Sequence, residues 1–225
     1  MSIVVDKSLS VDTTNQMFGY VIVRVEANNG KFKLKVSTDS YSYIYGLEPL
    51  VPAVIPLQMG NGIYTAELYQ NINKNRYNAV GIVRINVELI NEYVPFLHSN
   101  QYVDYEDNEA IANIAADLSS IDDIMQYVEK KFVYDYIYAV MVRQGTLPNM
   151  DRLLSQHMGI CQDIAALTVS LLRIKEIPAK LVIGLADNRY HAWVNFFFNN
   201  AWKLYDPTAK IIGLIVSRYE EERVY

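Results

Sequence analysis

The spacing of apolar residues changes period twice along this sequence, and those changes limit the fold more than any single residue does. Up to about residue 95 the apolar residues alternate. In KFKLKVST (31–38), Phe32, Leu34 and Val36 share one face and lysines the other, the period of a strand with one buried side. After Pro95 the spacing lengthens. Ala110, Ile111, Ile114, Ala115 and Leu118, then Ile121, Ile124, Val128 and Phe132, recur as on amphipathic helices. Strand-like runs return from Ala179. Strands, then helices, then strands is the order of an α+β chain. It predicts two domains, a β-sandwich over 1–96 and a second domain over 97–225.

The first region reads as short strands separated by turn residues. YVIVRVEA (20–27), the turn Asn28-Asn29-Gly30 and KFKLKVST predict a hairpin. YSYIYG (41–46) is a further strand. Pro49, Pro52 and Pro56 predict an edge strand or loop. IYTAELYQ (63–70) and AVGIVRINVEL (79–89) are two more strands, held apart by the polar NINKNRYN. The sum is an immunoglobulin-like sandwich. Residues 1–16 are polar and weakly patterned, a loose arm with a short strand at 3–5.

In the second region Ser120 and Asp123 make a helix-start pair. Residues 134–143 are aromatic and β-branched, and Gly145 and Pro148 mark a loop. Asp151 is expected to cap a short helix through Leu154. Ile164, Leu167, Thr168, Leu171 and Leu172 define a helix starting just after Cys161 and ending near Lys175. AKLVIG (179–184) is a buried strand, and YHAWVNFFF (190–198), Asn199-Asn200 and AWKLYDPT (201–208) form a hairpin. IIGLIV (211–216) reads as another strand and RYEEERVY as a charged tail.

Composition excludes several classes of function. With 51% hydrophobic and 20% charged residues, the chain buries a core and is not disordered. A net charge of −5 without a dense Lys/Arg block argues against a nucleic-acid partner. No run reaches the length of a membrane span. The start MSIVVDKSLSVDTT has no signal-peptide pattern, which leaves the localisation unknown: the expectation is cytoplasmic as written, and exported if a leader has been removed. A single cysteine makes no internal disulfide. The acids Asp104, Glu106, Asp107 and Glu109 lack the spacing of a calcium loop, and helix capping is their expected role. His98, His157, His191 and Cys161 match no zinc pattern. No metal and no cofactor are expected.

The chemistry concentrates in GICQDIAAL (159–167). A lone cysteine is ordinarily a small buried hydrophobe. Cys161, however, stands at a helix start, where backbone N–H groups favour a thiolate and can receive an oxyanion. A nucleophilic thiol needs a base, and the base needs an acid to fix its ring. If Asn199-Asn200 is the turn, Phe198 faces Ala201, and Trp193 falls opposite Asp206. His191 is then the diagonal neighbour of Asp206 on one face, about 7–8 Å away at the backbone and within side-chain reach. A slip of one residue would put the two on opposite faces.

These residues also carry a resemblance. GICQDIAAL, LLRIKEIPAKLVIG and YHAWVNFFFNNAWKLYDPT resemble the transglutaminase-like superfamily, whose papain-like core packs helices on an antiparallel sheet. The family pattern is a Gly and Cys opening a helix, an Arg ending it, an I-P-A strand start, an H-A-W strand and a W-x-x-x-D-P-T strand. Tyr134-Asp135 also resembles a family feature. The similarity covers roughly 105–210 and implies Cys161 as nucleophile, His191 as base and Asp206 as orienting acid. Papain-type enzymes place a Gln a few residues before the cysteine to help the oxyanion. Here Ser155 is six positions back and Gln156 beside it, so the Cys161 N–H is the expected donor. Gln156, Gln162 and Trp193 are candidates for oxyanion or substrate contact, and Trp193 either shields the His–Asp pair or packs the sheet.

The resemblance implies a cysteine-dependent amide hydrolase, a peptidase or deamidase, working through a thioester on a peptide or protein. Protein-glutamine transamidation is the alternative chemistry. A binding or scaffold protein that has lost catalysis is the alternative class, with the β-domain meeting a protein or cell-surface partner.

Overall fold

Each alternating run of the first region becomes a strand because one of its faces can be buried. The computed structural model describes residues 3–143 and 145–225, in two units, Met1–Gln101 and Tyr102–Tyr225. The first unit holds β1 (Ile3–Asp6), β2 (Leu9–Asp12), β3 (Tyr20–Val25), β4 (Phe32–Ser37), β5 (Ser42–Leu47), β6 (Ala53–Pro56), β7 (Gly62–Asn73) and β8 (Arg76–Val87). They form two sheets, β1-β2-β3-β6 and β5-β4-β7-β8, with every ladder antiparallel. Leu9, Val11, Val23 and Ile55 from one sheet and Leu34, Tyr45, Tyr64 and Leu68 from the other are fully buried. Setting β2, β3 and β6 against β5, β4, β7 and β8 is the division of an immunoglobulin-type sandwich. Residues after Phe96 stay with this unit, where the Gln101 side chain bonds both the N–H and C=O of Gly46 at 3.3 Å.

Three expectations for this unit fail. β3 and β4 are not a hairpin. Both edges of β3 are taken by β2 and β6, and both edges of β4 by β5 and β7, so Asn28-Asn29-Gly30 carries the chain from one sheet to the other. Residues 9–12 are not a loose arm. Leu9 and Val11 are core, but two apolar positions are too few to show a period. NINKNRYN does not separate its strands either. β7 and β8 run through it to a turn at Lys74, whose φ is 44°, with polar side chains at the exposed end of the ribbon.

The second unit is organised around one buried helix. Its elements are α1 (Glu109–Asp117), α2 (Ile121–Lys131), β9 (Val133–Tyr134), α3 (Tyr136–Met141), α4 (Met150–Gln156), β10 (Met158–Gly159), α5 (Cys161–Ile174), β11 (Ala179–Ala186), β12 (Arg189–Phe198), β13 (Ala201–Tyr205), α6 (Pro207–Ile212) and β14 (Tyr219–Val224). Every residue of α5 from Asp163 to Arg173 is buried, against β11 and β12 on one side and α1, α2 and α6 on others. An all-round apolar helix is a core helix. Its polar residues are satisfied internally: Thr168 and Ser170 donate to the carbonyls of Ile164 and Ala166 at 2.8 and 2.9 Å. Arg173 donates to the carbonyls of Ala179 and Tyr225 at 2.9 and 2.8 Å, tying the helix end to the start of β11 and the end of β14.

The sheet order is β13-β12-β11-β14, antiparallel throughout. Asn199 and Asn200 have φ of 52° and 59°, as a type I′ turn requires, and Phe198 pairs with Ala201. The helix caps at the start of the unit are amides and hydroxyls: Asn108 accepts from Ile111 N for α1, and Ser120 from Asp123 N for α2.

Three local expectations fail here too. Asn149, not Asp151, caps α4, accepting from Arg152 N at 2.9 Å. IIGLIV is not a strand. Asp206 caps α6, Pro207 occupies the first helical position, and Gly213 at φ 67° ends the helix, punctuation that outweighs β-branched residues. RYEEERVY is not a tail. It supplies β14, an edge strand whose outer positions tolerate acids, while Tyr225 is buried.

Candidate active site

Cys161 is delivered by a glycine. A Cβ on Gly159 would lie 2.6 Å from Leu153 Cδ1 and 3.1 Å from Asp163 Cβ, so glycine lets β10 pass between α4 and the start of α5 without displacing the Leu153 side chain. Asp163, in the first turn, reaches back to accept from Ile160 N at 3.1 Å and from Asn149 N at 3.1 Å. Its carboxylate therefore closes the helix start on two sides. Cys161 follows as the first residue of α5, partly exposed, with a first-turn N–H that has no acceptor inside the helix.

His191 projects from β12 opposite Gly184, and Asp206 follows the last residue of β13. His191 Nε2 and Asp206 Oδ2 are 2.8 Å apart, with side-chain exposures of 12% and 4%. Cys161 and His191 line the same cleft, and the thiol acts on the charge of the ring. Burial by itself would lower the His191 pKa. The bond to Asp206, the Cys161 thiol and the charges of both outweigh burial and hold the imidazolium up to about 9. For Asp206 burial pushes upward. The bond and charge of His191, the Ala209 N–H and the Tyr219 hydroxyl outweigh it, leaving the carboxylate below its ordinary range. The two shifts describe one ion pair.

Asp206 serves the fold as well as the ring. Its Oδ1 accepts from Ala209 N at 2.9 Å, capping α6, and its Oδ2 accepts a second bond from Tyr219 Oη at 2.9 Å. Tyr219 lay unseen in the segment read as a tail; only the aromatic and β-branched end of RYEEERVY hinted at a strand.

Cys161 and His191 open on a cleft of about 550 Å³ whose walls include Tyr102, Tyr134, Tyr190, Tyr225, Arg143 and Arg223. Gln162 also lines it, but its amide donates to the Thr146 carbonyl at 3.0 Å and so fastens that loop to the helix. Gln156 is exposed at the end of α4 and does not line the cleft. Trp193 is fully buried, its ring 6.3 Å from that of His191 and 5.0 Å from that of Tyr219. It lies behind the histidine rather than in the opening. Of the residues named from the sequence, the structure brings His191 and Asp206 into contact and places Cys161 on the same cleft as His191; the tyrosines around them had not been named.

No curated protein matches the sequence. Among solved structures the chain is similar to a candidate cysteine protease from Cytophaga hutchinsonii (16% identity, 88% of this chain and 82% of that one, TM-score 0.45). It is also similar to a TGase (19% identity, 70% of this chain and 48% of that one, TM-score 0.41). A third is the periplasmic domain of TgpA from Pseudomonas aeruginosa, bound to ethylmercury (14% identity, 87% and 91%, TM-score 0.43). The family model that matches is that of the transglutaminase-like superfamily, over residues 107–207, the span that contains Cys161, His191 and Asp206. The likeness to the transglutaminase-like superfamily is carried by this segment, which is somewhat under half of the chain.

Proposed function

We propose that this protein is a cysteine-dependent amide hydrolase acting on peptides or proteins. The observation that carries the reading is the His191 imidazole held by Asp206 at 2.8 Å on the wall of the cleft that Cys161 also lines. The Cys161 sulfur attacks the amide carbonyl carbon, and the first-turn N–H of Cys161 receives the oxyanion. As the C–N bond breaks, the His191 imidazolium gives its proton to the leaving amine. A thioester remains on Cys161. Water then attacks the thioester, His191 accepts its proton, the C–S bond breaks, and the acid and the thiolate are released. An amine in place of water would give transamidation through the same intermediate.

A polypeptide substrate fits the cleft's largely aromatic and apolar lining, which offers surface to side chains flanking an amide. The test is alkylation by iodoacetamide near pH 7, alongside hydrolysis of a casein digest followed by mass spectrometry. Cys161 should react well faster than a free thiol, and Cys161→Ala should abolish cleavage or deamidation of the digest. A Cys161 no more reactive than a free thiol, with digests unchanged by the wild type, would overturn the enzyme reading in favour of a binding protein. Incorporation of a fluorescent amine into casein in preference to hydrolysis would replace hydrolase with transamidase.

A further inference from the structure

The Asp206 carboxylate has more partners than a histidine-orienting acid needs. Its Oδ2 takes both His191 Nε2, at 2.8 Å, and Tyr219 Oη, at 2.9 Å, while Oδ1 takes Ala209 N at 2.9 Å. An ionised carboxylate only accepts, so the Tyr219 hydroxyl is the donor. Tyr219 comes from β14, a different strand from those that carry His191 and precede Asp206. Its seat is well defined. It pairs with Ala186 of β11, and its ring lies 5.0 Å from that of Trp193. β14 approaches β11 so closely that a Cβ on Gly184 would sit 2.0 Å from the Glu220 carbonyl oxygen.

We propose that Tyr219 is a positioning residue for this site: its hydroxyl shares Asp206 Oδ2 with His191, fixing the carboxylate and limiting how much negative charge it offers the ring. The inference rests on the cysteine-hydrolase reading for its consequence, but its geometry stands apart from that reading. Two donors on one oxygen divide its lone-pair density. With Tyr219 present, Asp206 holds the imidazolium less strongly than it would alone, so His191 gives up its proton to a leaving amine more readily. Without it the carboxylate is a stronger partner, held in place by one donor fewer.

The titratable groups that face this pair come from every neighbouring element. Cys161 on α5 faces His191, Tyr219 on β14 and Tyr205 on β13 face Asp206, and Asp187 in the β11–β12 turn faces Tyr219. Of these only Tyr219 donates to Asp206 Oδ2 among the described residues. Removing its hydroxyl is therefore a clean perturbation of that oxygen.

The test is Tyr219→Phe, which keeps the ring against Trp193. Two readouts are needed. The first is the titration of His191 followed by the ¹⁵N resonances of its ring, which requires no substrate. The second is the pH profile of Cys161 alkylation by iodoacetamide. The hydroxyl's loss should raise the His191 titration by about half to one pH unit, move the alkaline limb of alkylation up with it, and slow digest hydrolysis about 3–10-fold at neutral pH. A role confined to packing leaves both pH readouts where they are, because phenylalanine packs as tyrosine does. Coincident or downward-shifted profiles in a folded Tyr219→Phe protein overturn the proposal while leaving the hydrolase reading intact. A wild-type Cys161 without enhanced alkylation overturns the hydrolase reading instead, and the His191 titration still decides whether Tyr219 tempers the pair. As a second variant, Tyr219→Leu should show the same titration shift with an added loss of stability.

Discussion

Two buried aspartates stand on either side of Cys161, and they behave oppositely. Asp206 and Asp163 are 5% and 2% exposed, so burial alone would push both carboxyl groups upward. Asp163 does stay raised. Its donors are two neutral backbone N–H groups, of Ile160 and Asn149, and its nearest cation, Arg152, lies 4.0 Å away and bonds Asp135 instead. Asp206 is lowered, because His191 gives it a charged donor and Tyr219 and Ala209 add two more. The charge of the donor decides the outcome, not the depth of burial. One aspartate therefore closes a helix start, while the other keeps a formal charge beside a proton-carrying ring.

The largest separation between the two should come from catalysis. Asp206→Ala should lower kcat/KM for amide hydrolysis by about 10²–10⁴-fold, the scale on which a triad acid acts through its histidine, with a further ~1 kcal/mol of stability lost with the α6 cap. Asp163→Asn should lower the rate by less than about tenfold, since its carboxylate touches backbone only. Equal rate losses in the two variants would erase the distinction.

Gly184→Ala comes next and tests the strand behind Tyr219. A methyl group 2.0 Å from the Glu220 carbonyl and 3.0 Å from Trp193 Cη2 forces β14 away, costing about 3 kcal/mol in chemical denaturation. The variant should also reproduce the upward His191 titration of Tyr219→Phe, because the hydroxyl leaves with its strand.

Alkaline pH sharpens the same contrast. His191 is held up to about 9 against about 6.5 in an unfolded chain. Its contribution is fully present below 6.5 and is lost as pH rises through 9, on the order of 3 kcal/mol. Urea midpoints should fall between pH 7 and 10 in the wild type and less steeply in His191→Gln.

The smallest effect belongs to Asp163. A folded pKa above the ordinary carboxylate value means folding favours its protonation. The wild type should therefore gain stability on Asp163→Asn as pH falls from 7 toward about 4. At pH 7 the two should lie within about 1 kcal/mol, roughly the worth of the one backbone bond the amide cannot accept. Urea titrations at pH 7 and 5 measure both. Asp206 has the opposite sign, its lowered pKa giving stability that is present above about 3.9 and lost as pH falls further.

Much of the site was legible because its parts are local. Asn199-Asn200 sets the register of β12 on β13 within a few residues, and that register brings His191 and Asp206 to one face. Glycine two positions before Cys161, and the apolar spacing after it, announce a buried helix with the cysteine at its mouth. The first unit was legible as strands for the same reason, since alternation needs only six or eight residues to show. The misreadings are those in which a local signal met a distant demand. Asn28-Asn29-Gly30 is good hairpin chemistry, yet β3 and β4 each find both edges occupied by other strands. IIGLIV is good strand composition, yet Asp206, Pro207 and Gly213 write a helix around it. Tyr136, Ile137, Val140 and Met141 are apolar and exposed on α3, so their composition carried no information about burial.

By itself the sequence determined the period of each element, the turn joining β12 to β13, and hence the meeting of His191 with Asp206. These follow from backbone preferences and side-chain spacing over a few residues. Only the tertiary structure decided which strands became neighbours and that the acidic last segment would close the sheet that carries His191. Edge pairing is selected by what the rest of the fold leaves uncovered. β14 is written in glutamates and shows no alternation, because as an edge strand it buries none of its six residues. Its place beside β11 depends on a glycine thirty-five residues before Tyr219 and on the indole of Trp193. The hydroxyl that reaches Asp206 is therefore a property of the assembled sheet.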